Sequence, residues 1–177
     1  MRLDEIPVGD KPPYEVNVVI EVPLGGEPVK YEMDKASGAM FVDRFLHTSM
    51  RYPCNYGFVP HTLADDGDPI DMLVAGRSPV VPGAVVRTRP VGVLIMHDEA
   101  GEDEKVMGVP VDALSPYYQD ISSYRDLPPI LVNQVEHFFQ HYKDLEEGKW
   151  VEIVRWGSTE EALDRIRQSI ERHNEQG

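Results

Sequence analysis

Apolar and polar positions alternate early in the chain and turn helical late. From Glu15 to Val22, Val16, Val18, Ile20 and Val22 fall on one side, with Glu15, Asn17 and Glu21 on the other. A period of two with one apolar side predicts a half-buried strand. Gly25-Gly26 offers a turn, and Val29, Tyr31 and Met33 then alternate with Lys30, Glu32 and Asp34 in a second strand. Met40–Leu46, Ile70–Ala75, the Val-rich run Ala84–Met96 and Lys105–Val109 read as further strands. Tyr52 and Tyr56 flank a short, turn-like Pro53-Cys54-Asn55. From Pro129 the spacing changes. Leu131, Val135, Phe138, Phe139, Tyr142 and Leu145 recur at helical intervals, with Pro128-Pro129 suited to the start and Gly148 to the end. Ser158 and Glu161 fit a capping box for a last helix bearing Leu163, Ile166 and Ile170. Strands first and helices last predict an α+β, mainly β, fold: a barrel or sheet with helices packed outside.

The 177 residues suit one domain, 1–177, with no repeat, low-complexity tract or long linker. With 41% hydrophobic and 27% charged residues, the chain can build a core. The net charge of −14 argues against nucleic-acid binding, because phosphate backbones attract basic surfaces. No run nears the roughly 18 apolar residues of a membrane span, and Met1–Glu5 lacks the apolar core of a signal peptide. Cys54 is the only cysteine, so no internal disulfide forms and a cytoplasmic setting is expected.

The acids are clustered. Residues 65–71 and 98–104 hold Asp65, Asp66, Asp68, Asp71, Asp98, Glu99, Glu102, Asp103 and Glu104, where an even spread would put two or three. Charges this dense repel, so either water solvates two acidic loops or cations offset them. Asp66-Gly67-Asp68-Pro69-Ile70-Asp71 runs directly into the apolar Met72–Ala75, which places it at a strand edge. It is not an EF-hand loop: Gly67 comes too early, and the twelfth position from Asp66 is Arg77. Magnesium or manganese, held partly by water and substrate oxygen, fits better. Lys30, Arg44, Tyr52, Tyr56, Lys105, Tyr142 and Lys143 could meet phosphate oxygens beside such cations, although spacing alone does not show that they converge. The chain has no P-loop, G-x-G-x-x-G, H-E-x-x-H or G-x-S-x-G pattern. His137 and His141 lie four apart on the long helix. They read as a packing or subunit contact rather than a zinc pair, since no third ligand is near. Cys54, beside aromatics, reads as a packed thiol.

These segments closely resemble the bacterial, family I soluble inorganic pyrophosphatases over nearly the whole length. The resemblance runs through Ile20-Glu21, Lys30-Tyr31-Glu32, Val42-Asp43-Arg44, Tyr52–Gly57, His137–Lys143 and, most specifically, the D-G-D-P-x-D signature at Asp66–Asp71. It implies a closed five-stranded OB-type β-barrel with outer helices, and a homohexamer built as a dimer of trimers. It implies several Mg2+ per site, with Mn2+ or Zn2+ as substitutes and Ca2+ inhibitory. It assigns Asp66, Asp71 and Asp103 to one ion, with Asp71 shared with a second. A further ion falls to Asp98 and Asp103. Glu21 acts through metal or its water, with Glu32 and Tyr52 in support. Lys30, Arg44, Tyr56, Lys105, Tyr142 and Lys143 grip pyrophosphate and product, and Asp68 takes the proton of the attacking water. His137 and His141 are the candidate interface residues. Two other readings remain: a metal-dependent hydrolase of organic diphosphates, for which no base or sugar pocket motif is evident, and a non-catalytic calcium-binding barrel, which leaves the Lys, Arg and Tyr set unexplained.

Overall fold

The computed structural model describes residues 1–176. Its elements run β1 (Val16–Val22), β2 (Val29–Met33), β3 (Met40–Phe45), β4 (Asn55–Phe58), β5 (Asp71–Val74), β6 (Val85–Asp98), β7 (Gly101–Pro110), α1 (Pro129–His141), β8 (Val151–Gly157) and α2 (Thr159–Gln176). Five strands close into a ring. β1 pairs antiparallel with β4, β4 with β5, β5 parallel with β7, β7 antiparallel with β6, and β6 returns to β1. Closure leaves no open edge within the ring. β8 extends the sheet from the far half of β6, and β2 and β3 form a separate hairpin. β6 can serve two neighbours because it is long and its register shifts at Pro90/Gly92 and again at Ile95/Met96; such bulges bend a strand. At Gly57 on β4 a Cβ would stand 1.9 Å from the Val19 carbonyl oxygen, so only glycine lets β1 and β4 approach this closely.

Both faces of the ring strands are buried. Leu73, Ala75, Leu94 and Met96 pack on one side with Phe138, Phe139 and Tyr142 around α1. Met72, Val74, Val93 and Ile95 pack on the other with Ala162 and Ile166 of α2. This corrects the half-buried reading of the first strand: every residue of Val16–Val22 is buried. Val19 lies under the β2–β3 hairpin against Met33 and Phe58, and Glu21 sits beneath it. The long helix ends at His141, seven residues before Gly148, in a series of turns. The segment read as turn-like contains a strand, β4, and Tyr56 belongs to it. β8 escaped the reading because the adjacent apolar pair Ile153-Val154, at a register shift, interrupts its alternation; it also places one strand between the helices. α2 begins as expected, with the Ser158 hydroxyl accepting from the Glu161 N–H at 3.2 Å, but the Glu161 carboxylate turns to Arg155 rather than back to the cap.

Candidate active site

Three chain segments meet at one mouth of the ring. The first is the connection from β4 to β5. Buried Thr62 closes its base, donating to the Val59 carbonyl at 2.6 Å and accepting from the Ile70 N–H at 3.0 Å. At its tip Gly67 has φ +92°, and the Asp66 carboxylate accepts from the Asp68 N–H at 3.0 Å. Pro69 keeps Asp68 extended, and Asp71 opens β5 opposite Phe58.

The second segment is the β6–β7 hairpin, tightest where Asp98 faces Gly101. Alternation along β7 turns Asp103 and Lys105 one way and Glu102 and Glu104 the other. Lys105 is buried. Its ammonium donates to Asp71 at 2.5 Å, stands 3.1 Å from Asp103 and reaches the Tyr56 hydroxyl at 3.3 Å. Burial works to discharge this lysine, but Asp71, then Tyr56 and Asp103, outweigh it and hold the pKa well above the ordinary lysine value. Burial pushes the Asp103 carboxyl up, with Lys105 opposing. At the hairpin tip Lys143 donates to Asp98 at 3.1 Å and lies 3.5 Å from Glu99.

The third segment is the β2–β3 hairpin. Lys30 and Arg44 face each other in register. Lys30 donates to Asp43 at 3.1 Å, while Arg44 turns to Glu146 at 2.9 Å. Glu21, beneath the hairpin, accepts from the Met33 N–H at 2.8 Å and lies 3.5 Å from Lys35. Burial raises its pKa to about 7, against that hydrogen bond.

Glu21, Lys30, Glu32 and Tyr56 share one cleft with Asp66, Asp68 and Asp71. Asp66 and Asp71 also border a smaller acidic hollow with Asp65, Glu102, Asp103 and Glu104. Tyr52 is fully buried, its ring 4.5 Å from Phe138 and 5.1 Å from Tyr56, so it supports the wall from behind. Tyr142 is buried just past α1. Asp98, Asp103, Lys105, Tyr142, Lys143 and Arg44 are outside the cleft's immediate lining: Lys105 bonds Asp71 and Tyr56, Asp103 borders the acidic hollow, Lys143 bonds Asp98 at the β6–β7 tip, and Arg44 lies on β3. Sequence reasoning missed Lys35, whose ammonium lies 4.2 Å above the Phe58 ring, as well as the carboxylates Asp43 and Glu146 that hold Lys30 and Arg44. Only tertiary pairing identifies them.

Among the described residues no group of three His, Cys, Asp or Glu side chains is already gathered to hold a metal ion. The reason is visible: the Lys105 ammonium occupies the place between Asp71 and Asp103, and Asp66 and Asp98 each spend an oxygen on a backbone N–H. The donor set nevertheless suits hard divalent cations. It consists of carboxylate oxygens on three segments, open to solvent on one side, with burial and mutual repulsion that a cation would relieve. His137 and His141 lie apart from this, on α1, with ring centroids 4.6 Å apart; His141 Nδ1 is 2.7 Å from Asp144.

A closed five-strand ring with acids and cations crowded at one mouth defines the class, and comparison with known proteins gives the family. Residues 18–174 match the family model "Inorganic pyrophosphatase". An inorganic pyrophosphatase of Rhodospirillum rubrum is 64% identical over 170 residues, covering 96% of this chain and 95% of the relative. The crystal structure of an inorganic phosphatase from Anaplasma phagocytophilum superposes with a TM-score of 0.94 at 51% identity, covering 96% of this chain and 99% of that one. The Thermus thermophilus inorganic pyrophosphatase gives 0.92 at 44%, covering 98% and 99%. The chain belongs to the inorganic pyrophosphatase family, a family of metal-dependent enzymes.

Proposed function

We propose that the protein hydrolyses inorganic diphosphate to two phosphates with Mg2+, as a single unit spanning 1–177 in the cytoplasm. The observation that carries this reading is the meeting of Asp66, Asp68 and Asp71 with Lys30 and Tyr56 in one cleft, with Lys105 bonded to Asp71 behind it. Diphosphate is small and densely anionic, so its site needs cations close to the oxygens and a base at the rim. Bound divalent cations would neutralise substrate charge and make an attacking water acidic enough to lose its proton near neutral pH. Asp66, Asp71 and Asp103 would hold one ion, Asp71 would share a second, and Asp98 with Asp103 would hold another. Glu21, with Glu32 beside it, would act on the ions or their waters. Lys30, Arg44, Tyr56, Lys105, Tyr142 and Lys143 would donate to phosphate oxygens and stabilise the charge that moves to the leaving phosphate. Asp68, exposed at the cleft, would accept the water proton. No described helix is long and apolar enough to cross a membrane.

The test is phosphate release from diphosphate, ATP and a sugar nucleotide, each with Mg2+ and with Ca2+. Release from diphosphate alone, with Mg2+ and not Ca2+, is expected, since the looser geometry of Ca2+ misplaces the nucleophile. Equal turnover of ATP would make the protein a broader organic-diphosphate hydrolase. No release from any substrate would leave the calcium-binding reading.

A further inference from the structure

Behind the acidic mouth, α2 presents two arginines seven residues apart, hence on one face two turns apart. Arg165 donates to Glu102 at 2.9 Å and to Glu104, and reaches Glu161 at 3.3 Å. Glu102 and Glu104 flank Asp103 on β7, turned to the opposite face. Arg172 bonds Asp65 at 3.0 Å, and its Nε donates to the Leu63 carbonyl at 2.8 Å. Leu63 is also tied to α2 through its N–H, which donates to the Ser169 carbonyl at 2.9 Å. One arginine therefore holds the hairpin carrying Asp103, and the other the connection carrying Asp66 and Asp68. The helix is a fixed base for both, because Ala162, Leu163, Ile166 and Ser169 are buried against the ring.

We infer that Arg165 and Arg172 are positioning residues: from α2 they set the spacing between the two acidic segments that receive divalent cations. This rests on the cation sites proposed above. Neither arginine lines the substrate cleft, so each acts through its carboxylate partners. The need is specific. Asp65, Glu102 and Glu104 crowd the hollow bordered by Asp66, Asp71 and Asp103. Without counter-charges they would repel one another and draw the two segments apart. The exposure of Arg165 is only 22% and that of Glu104 11%, so solvent screens this pair weakly.

The sign of the effect separates positioning from plain electrostatics. Deleting a positive charge beside a cation site strengthens attraction for the cation if charge alone matters. If the arginine sets spacing, the same deletion weakens binding. Mn2+ titration of the full-length, substrate-free protein, followed by electron paramagnetic resonance, reads this directly, with diphosphate hydrolysis measured separately. Arg165→Met is expected to raise the Mn2+ dissociation constant about tenfold, the usual scale for partners that orient ligands. Arg172→Met should act in the same direction. Arg165→Lys should recover only part, because an ammonium cannot fork onto both Glu102 and Glu104. The metal-free melting temperature of Arg172→Met should fall by no more than about 4 °C, because its partner Asp65 is exposed, whereas Arg165→Met leaves the nearly buried Glu104 uncompensated and should lose more. Unchanged or tighter Mn2+ binding in the two Met variants overturns the inference. So does weaker binding in Arg172→Met matched by a larger loss of melting temperature, or full recovery in Arg165→Lys. A wild-type protein that binds Mn2+ yet releases no phosphate from diphosphate refutes the proposed reaction and leaves this inference standing.

Discussion

Asp68 and Cys54 show how far a residue's type and its surroundings each decide its role. The hydrogen bonds that hold Asp68 run through its backbone, N–H to Asp66 and C=O from Ala64, leaving the side chain exposed in the cleft. That arrangement leaves the carboxylate free for the proton-acceptor role proposed above. Asp68→Asn keeps the shape and the turn, so Mn2+ binding by titration should be retained while turnover falls about 100-fold or more. Raising the pH should restore part of the loss; loss of metal with normal turnover at saturating metal would make Asp68 a ligand instead. Asp71 is the contrasting case: the family resemblance marked it as a ligand, but only the fold shows that it also neutralises a buried lysine. Asp71→Ala would strand that charge as well as remove a ligand; Asp71→Asn also removes the counter-charge but keeps an acceptor oxygen for Lys105. Cys54 is fully buried, and burial pushes its thiol up to about 12. A thiol this far from ionising is inert at pH 8. The native protein should leave a disulfide reagent such as DTNB unreacted for hours, and release one equivalent on unfolding; rapid reaction in the native state would contradict the packed-thiol reading.

At the scale of elements, local chemistry was legible wherever it was self-contained. The start of α2 is one such place, since Ser158 and Glu161 are three residues apart and the cap needs nothing else. Ser158→Ala should cost about 1 kcal/mol in urea unfolding. The Glu161 side chain, however, was drawn from the cap by Arg155 and Arg165, partners that the spacing could not reveal. The hydrogen bond from Arg155, more than the partial burial that opposes it, holds Glu161 below its ordinary value of 4.5. A folded pKa below the unfolded one stabilises above about pH 4.5, and that stability fades as pH falls through the lower value. Arg155→Met should therefore be less stable than wild type at pH 6, and the gap should narrow by pH 3. A gap independent of pH would mean that Arg155 acts by packing its stem. β1 misled because its polar residues Asn17 and Glu21 are themselves buried, bonded to the Pro7 carbonyl and the Met33 N–H, and β4 because Pro53-Cys54 masks a strand that starts one residue later.

At the scale of the whole molecule, the ring itself could not be read by pattern, because β1 meets β4 and β6, and β5 meets β7, across long stretches of sequence. The resemblance to a family supplied the closed barrel, and it alone implies the hexamer. Ile130 on α1 is 65% exposed, and it borders a groove in which Leu24, Met50, Pro53 and Phe138 are joined by the polar Arg51, Asn133, Gln134 and His137. An exposed apolar residue rimmed by polar ones suits a protein contact. We propose that this face of α1 packs against a second copy, with His137 and His141 at the contact. Ile130→Asp would place a charge in the groove while leaving the core beneath it, Val135, Phe138 and Phe139, in place. Sedimentation velocity at micromolar protein should then show wild type as an oligomer and Ile130→Asp as smaller species with an unchanged circular dichroism spectrum. His137→Gln with His141→Gln should weaken assembly without altering Mn2+ binding, since both residues lie away from the acidic cleft. A wild-type monomer would remove the interface, and an intact oligomer in Ile130→Asp would move it to another face. A zinc requirement lost with the two histidines would instead make them ligands.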